Sequence, residues 1–335
     1  MAEAVITSTD LFRDINATFL STYRNSVGRN SKLASAMRLA VPSKKRTERF
    51  GYVESPPVIE RIDRGESITE DAYRAIAYNV TNLTWGKAIG FHEEDIEDFQ
   101  LGDLREMAKK LAIRAAELPE QVFFQIIQGT ASALLLKTIP TAPDGAALFA
   151  TTAGGAARFG ATSGILLTGS GVATSAAVRS DYWSTLEQFK LFQDTEGEPL
   201  LSDDDRDGGV TIVYGAANEE VFREAFLQGR TIQKSTGTAT TDTGGVAGVS
   251  NTILESGLKV TLWCTQRIAT DDWYTFADKV VPKAVFETVR RAPRMIDETR
   301  ENSSKARRYR MLSTLLDMRA GYGVNAAYGA IKVNN

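Results

Sequence analysis

Cysteine and histidine are nearly absent: the 335 residues contain one of each, Cys264 and His92. A lone cysteine excludes an internal disulfide framework and any Cys-rich zinc or iron–sulfur site. A lone histidine makes any Ser-His-Asp triad depend on His92 and rules out an HExxH or two-His metal site. No apolar run reaches 18 residues, and the opening MAEAVITSTDLF has no basic stretch followed by an apolar one, so neither a membrane span nor a signal peptide is predicted. A reduced, soluble product made in the cytoplasm, without a membrane partner, is expected. An excess of one charge is lacking too. The 39 basic against 42 acidic side chains are too balanced for a protein that grips nucleic acid over its whole surface. With 43% hydrophobic and 24% charged residues, the composition is that of a soluble globular chain of about two domains, or one large elaborated one.

The balance hides a gradient, since residues 1–50 carry nine bases against four acids. Within them Phe12, Ile15, Phe19 and Tyr23 recur at helical spacing behind Asp10, a candidate N-cap, and predict a short amphipathic helix. The polar, basic stretch Gly28 to Arg49 reads as an extended arm. From Phe50 to Phe91 the pattern is strand-like, broken by Pro56-Pro57 and the turn-prone DRGE around Gly65, which predicts a long hairpin. Asp103 and Glu106 form a capping-box pair ahead of Leu104, Met107, Leu111, Ala115, Leu118, Val122 and Ile126, so a long helix follows, with Pro119 as the expected bend.

Residues 138–180, rich in Gly, Ala, Ser and Thr, read as an irregular excursion, followed by a helix from Tyr182 to about Phe192. The strand VTIVY, a helix from Asn218 to Leu227 and a Thr/Gly-rich loop from Gln228 to Asn251 come next. The closing segments LKVTLWC, WYTFA, KAVFETV, YRMLSTLLDMRA and VNAAYGAIKV read as strands, and no internal repeat is visible.

Motifs for chemistry are weak. His92 lies in FHEEDIED, an acidic turn suited to a helix N-terminus rather than a metal site. Asp203, Asp205, Asp207 and Gly208 open like a calcium loop, yet its twelfth position is Tyr214 instead of a bidentate glutamate. The Gly-Ser-Gly at 169–171 completes no phosphate-binding loop, no serine sits in a G-x-S-x-G elbow, and Cys264 falls in an alternating strand. A carboxylate-pair enzyme has no local signature and stays open as an alternative of another class, as does a nucleic-acid-binding module using the basic arm. The bases Arg290, Arg291, Arg294, Arg300, Lys305, Arg307, Arg308 and Arg310 are interleaved with acids and fit ion pairs as well as phosphate. No catalytic residue, cofactor or metal is predicted. The distinctive features are architectural: a basic arm, a projecting hairpin and a spine helix, appendages that neighbours of the same kind could cover.

The order VPSKKRTERFGYVESPPVIER, YRAIAYNVTNLTWGKAIGFHEEDIEDFQLGDL, the long helix and PDGAALFATT resembles the Mu-type major head subunit of tailed phages and prophages. The stretches VPKAVFETVRRAP and RRYRMLSTLLDMRAGYGVNAAYGAIKV are similar to that family's closing strands. The resemblance implies an α+β chain with the Hong Kong 97-type phage capsid fold. Its parts would be an N-terminal arm (1–48), an E-loop hairpin (49–95), a P-domain spine helix and excursion (96–174), a mainly A-domain region (175–280) and strands returning to the P-domain (281–335). It further implies a non-enzymatic major capsid protein that forms hexamers and pentamers of an icosahedral shell around double-stranded DNA, with a gene-transfer particle or an encapsulin-type shell as the alternative. Implied partners are further copies of itself, a separate scaffolding protein (no long helical leader precedes the arm), a portal, a decoration protein and non-specifically held DNA. Its place would be the virion capsid, assembled in a bacterial host's cytoplasm. Expected assembly residues are Ile15, Phe19, Ile59, Arg61, Arg64, Ile76 and Trp85, the apolar ones of the arm and hairpin being uncovered in a lone chain. Expected DNA-facing residues are Lys44, Lys45, Arg46, Arg307 and Arg308.

Overall fold

The computed structural model describes residues 8–27, 31–53, 61, 75–92, 94, 101–154, 156–160, 165–202, 208–227, 230–232, 248–250, 253, 257–297 and 311–335. In chain order the first elements are α1 (Ser8–Val27), α2 (Ser31–Ala36), β1 (Met37–Pro42), β2 (Thr47–Val53), β3 (Ala75–Thr81), β4 (Leu83–His92) and α3 (Leu101–Gln128). Short strands β5 (Thr152–Ala153), β6 (Ala156–Ala157) and β7 (Leu166–Thr168) lead to α4 (Ser175–Leu191), β8 (Val210–Gly215) and α5 (Glu219–Leu227). The remainder is β9 (Arg230–Ile232), β10 (Gly248–Ser250), β11 (Val260–Thr265), β12 (Trp273–Ala277), β13 (Val285–Asp297), β14 (Met311–Val324) and β15 (Ala330–Asn334). Contacts divide the chain into one unit of Met1–Phe50, Ala77–Pro140 and Val285–Gly323 and a second of Gly51–Ile76, Thr141–Ala284 and Val324–Asn335.

In the first unit α1 packs along α3. Ile15 (2% exposed) and Phe19 (0%) meet Leu104, Ala108, Ala112 and Ala115, with Met295 and Leu316 of the sheet completing the cluster. Alanines at 108, 112 and 115, spaced four and three residues apart, present a low ridge on which α1's large side chains can settle. This corrects two expectations. Ile15 and Phe19 are core residues of this chain, because the spine helix covers the apolar stripe of α1. On α3, Leu104, Ala115, Val122 and Ile126 are buried as read, but Ala108 takes the place expected for Met107, which is 47% exposed.

The unit's sheet has the order β1-β13-β14-β4. β1 runs parallel to β13, and the expected free arm between Gly28 and Arg49 is instead built into helix α2 and this strand. Register shifts between Arg38 and Val41, where Ala40 adopts φ 55. That bulge aims the Ala40 N–H at Oε2 of buried Glu287 at 3.3 Å, while Tyr322 donates its hydroxyl to Oε1 at 3.1 Å. Burial raises the Glu287 carboxyl above its usual range, against the pull of both donors.

The expected hairpin is shorter than read. β2 pairs with β3 alone, with Thr47 facing Thr81 and Phe50 facing Tyr78, an antiparallel arrangement. β4 leaves it and pairs antiparallel with β14, from Leu83↔Ala320 to His92↔Met311. Its open edge and alternating Gly86, Ala88 and Gly90 make it a thin border strand. The stretch expected to form the hairpin's turn lies outside the described residues, apart from Arg61.

The second unit holds a five-stranded sheet of order β11-β8-β12-β15-β7. β8, paired on both sides and buried along its whole length, explains the continuous apolar run VTIVY. Tyr214 stacks on Phe222 of α5 at 4.2 Å, and Phe222 meets Trp273 of β12 edge-on at 5.7 Å. β15 pairs with β12 and β7 here, so Val324–Asn335 does not join the spine-helix sheet as expected. Among the described residues no helix is long and apolar enough to cross a membrane.

Glu287 generates a pH prediction. Because its folded carboxyl is raised, its contribution to stability is fully present below the unfolded carboxylate range and is lost as pH rises through the folded value. Glu287→Gln, neutral at every pH, should therefore match the parent chain in acid and exceed it at neutral pH in urea midpoint. Parallel midpoint curves across pH 4–7 would show that Glu287 titrates normally.

Candidate assembly and basic-surface sites

The root of the hairpin is built on one buried amide. Asn82, between β3 and β4, donates through Nδ2 to Ser43 Oγ at 2.6 Å and to the Lys45 carbonyl at 2.8 Å. Its Oδ1 accepts from Thr288 Oγ1 at 2.9 Å, and its backbone N–H donates to the Arg46 carbonyl at 2.8 Å. A Cβ at Gly321 would fall 2.7 Å from Thr288 Oγ1 and 2.9 Å from the Thr81 carbonyl, so only glycine lets β14 pass this point. Beside the root, Phe50 packs edge-on against Phe286 at 5.1 Å, and burial pushes the Tyr78 hydroxyl up to about 12.

The turn before β2 is closed by Glu48, whose Oε1 accepts from Ser43 Oγ and from the N–H groups of Lys44 and Lys45, each at 2.8 Å. The Lys45 N–H first, then the Ser43 hydroxyl and the Lys44 N–H, hold this carboxyl below the usual range. With the backbone fixed, the side chains of Lys44, Lys45 and Arg46 stand exposed together on one tight turn. This is a compact cationic surface, suited to phosphate contact without base reading. Arg307 and Arg308 lie outside the described residues. Within the same C-terminal cluster, Arg291 and Arg294 both reach Asp317, at 2.6 and 3.3 Å. Burial opposes ionisation of Asp317, but Arg291 and then Arg294 outweigh it and lower its carboxyl.

The expected assembly residues are dispersed. Ile15 and Phe19 are interior. Trp85 is half-buried on the border strand, donating Nε1–H to the Ala320 carbonyl at 3.1 Å and meeting Tyr322 edge-on at 6.0 Å. Ile76 is half-buried in the second unit, Arg61 is exposed, and Ile59 and Arg64 fall outside the described residues. The aspartates at 203, 205 and 207 also fall outside. Among the described residues no group of three or more His, Cys, Asp or Glu side chains could hold a metal.

A second organised feature escaped the sequence reading. Arg158, 4% exposed, pairs through Nε with Asp144 at 2.6 Å and through Nη1 with the carbonyls of Ala147, Leu148 and Ala150 at 2.9–3.2 Å. It is the pin around which PDGAALFATT is wound, with Gly145 at φ +81 in the turn. The signal was present: Asp144 and Arg158 are the two charged residues between Lys137 and Arg179.

Residues 10–151, from α1 through the hairpin root and spine helix to the loop wound on Arg158, match the family model described as Mu-like prophage major head subunit gpT. Over that region the chain is similar to Mu-like major head subunits. No curated protein is significantly similar to it. Among solved structures it resembles the capsid of an empty GTA particle (10% identity, 91% of this chain and 90% of that one, TM-score 0.54). It also resembles the capsid of the Myoviridae phage XM1 (8% identity, 90% of each chain, TM-score 0.54). A virus-like particle from Pyrococcus furiosus matches at 9% identity over 94% and 96%, TM-score 0.50. At these identities the likeness establishes the fold, which is the Hong Kong 97-type capsid fold.

Loss of either pin should be felt locally. Asn82→Ala strands its buried partners and should cost about 1–3 kcal/mol per orphaned group, with faster amide exchange in β3 and β4. Arg158→Ala breaks a buried pair and should cost about 3–5 kcal/mol, with faster exchange confined to residues 141–151. Arg158→Lys should not rescue it, since an ammonium cannot serve carboxylate and three carbonyls in a planar fork. Uniform exchange changes throughout the chain would contradict both assignments.

Proposed function

We propose that this chain is the major head protein of a tailed phage or prophage, forming hexamers and pentamers of an icosahedral shell that encloses double-stranded DNA. The head-subunit match over residues 10–151, on a capsid fold, carries this reading. The geometry supports it in a specific way. A two-stranded hairpin is marginal in water by itself. Here its root is locked by Asn82 and ring packing, so its direction is set before any partner arrives. The open border strand β4, with Trp85 partly uncovered, and the exposed Met107 and Ile113 on α3 are further surface that neighbours would bury. A gene-transfer particle shell is the second reading, favoured by the likeness to a GTA capsid, and it differs in what is packaged rather than in subunit chemistry.

The role is structural and not enzymatic. Other copies of the chain are its principal partners, with a scaffolding protein, a portal and a decoration protein completing the head, which assembles in the bacterial host's cytoplasm. DNA is held weakly and without sequence preference by Lys44, Lys45 and Arg46, with Arg307 and Arg308 as further contacts.

Deleting Arg61 to Asp71 should leave a cooperative thermal transition and the parent circular dichroism spectrum, while shells counted by negative-stain microscopy collapse. Normal heads from the trimmed chain would remove the hairpin from assembly, and failure to fold would place it in the core. Replacing Lys44, Lys45 and Arg46 by Ser should weaken DNA association equally for all sequences and reduce the slope of log K against log salt by about 1 per lost phosphate contact. An unchanged slope would exclude this turn from contact with DNA.

A further inference from the structure

Glu287 is 5% exposed on the inner strand β13, and no lysine or arginine among the described residues compensates its charge. The groups that face it are Tyr322 from β14, Tyr23 from α1 and, from β1, the backbone N–H of Ala40. Burial, and after it the Glu287 carboxyl, raises both tyrosine hydroxyls, so both are neutral at ordinary pH. A carboxyl in such surroundings is at rest as the neutral acid. Once ionised, it has to draw in water.

The three elements that cover it are unequal. α1 is fixed on α3 through Ile15 and Phe19, and β14 is paired on both sides. β1 is an edge strand, and there Leu39 and Ala40 together oppose Glu287, because the register runs Arg38↔Phe286 and then Val41↔Thr288. Ala40, at φ 55, lies in the left-handed region that a residue with a Cβ seldom occupies, and its N–H meets Glu287 Oε2 from that strained position. From Arg38 to Pro42 every residue is exposed or half-buried, whereas Met37 before them is 0% exposed and Ser43 after them 8%. A short stretch anchored at both ends and lightly held between them can lift without unfolding its neighbours. We propose that Glu287 and residues 38–42 form a pH-operated flap, which lies against β13 while the carboxyl is protonated and lifts to admit water when it is ionised. Because burial holds the Glu287 carboxyl above its usual range, the flap is shut in acid and loosens as pH rises towards and through the folded value. The device is internal to the chain and stands independently of the shell reading.

Hydrogen exchange of the full chain at residue resolution, with each observed rate divided by the intrinsic rate at that pH, tests the flap. Protection of the Leu39, Ala40 and Val41 amides should fall about tenfold for each pH unit between the carboxyl's value in the open flap and its value in the closed one, and at least about tenfold in total from about pH 4 to about pH 8. At every pH these amides should exchange faster than those of β14, as a local opening requires. Equal protection in the two strands would mean that β1 is released only when the whole unit unfolds, and would overturn the proposal. Glu287→Gln should abolish the pH dependence; protection that is independent of pH in the parent, or a fall as steep in Glu287→Gln as in the parent, would overturn it as well. Should Glu287→Gln lose the parent's circular dichroism spectrum, Tyr322→Phe takes its place. That change removes a donor to the carboxylate and keeps the ring, so the fall in protection should extend to higher pH, and an unmoved profile would overturn the flap.

Discussion

A single carboxamide governs the architecture of the first unit. Asn82 has a fixed complement of two donors and one carbonyl oxygen, and it spends them on the turn at 43–45 and on Thr288 of β13. Removed from water, each of these bonds is costly to leave unmade, so the four segments that meet here have one satisfactory arrangement. Hairpin, border strand, arm and central sheet all take their directions from it. The glycines nearby are a consequence: Gly321 beside Thr288 and Gly323 beneath Phe286 are places where a Cβ would push apart what the amide draws together.

The second unit solves the same problem with charge. Its long connection between α3 and α4 has little regular structure and few large side chains, so burial of apolar surface cannot hold it. Arg158 replaces that missing core by gathering three carbonyls and Asp144 around a planar guanidinium. Asn82 pins a place where strands meet, and Arg158 pins one where they are absent. In both, a buried polar hub gives uniqueness of shape, whereas the apolar clusters supply most of the stabilisation.

How far this was legible depends on whether the deciding signal is local. WYTFA was readable as a strand to its last residue, and the buried run VTIVY as a strand between two others, because period and burial are written in consecutive side chains. The order of segments carried the fold class through resemblance. The face of α3 was misread at Met107 because alanine is ambiguous: Ala108 and Ala112 look neutral in sequence and are buried because α1 needs a low ridge. Ile15 and Phe19 declared that something must cover them without naming the spine helix as the cover. The hairpin was drawn too long because Asn82 interrupts a strand-like run by a single residue, and a polar residue in a strand does not announce that it is buried. Arg158 and Asp144 could have been paired from their isolation in an uncharged stretch.

These failures share a cause with the proposed shell function. A chain that assembles must leave some surfaces unsatisfied until a neighbour arrives, and sequence rules assume that each apolar stripe is answered within the same chain. α1's stripe is answered internally, whereas Met107, next to the buried stripe of the spine helix, is left uncovered. A hairpin with a flexible root would collapse onto its own subunit and bury the contacts that a shell requires. On the proposed shell reading, rigidity at Asn82 is therefore the condition under which the hairpin's surface becomes an interface instead of a site of misfolding.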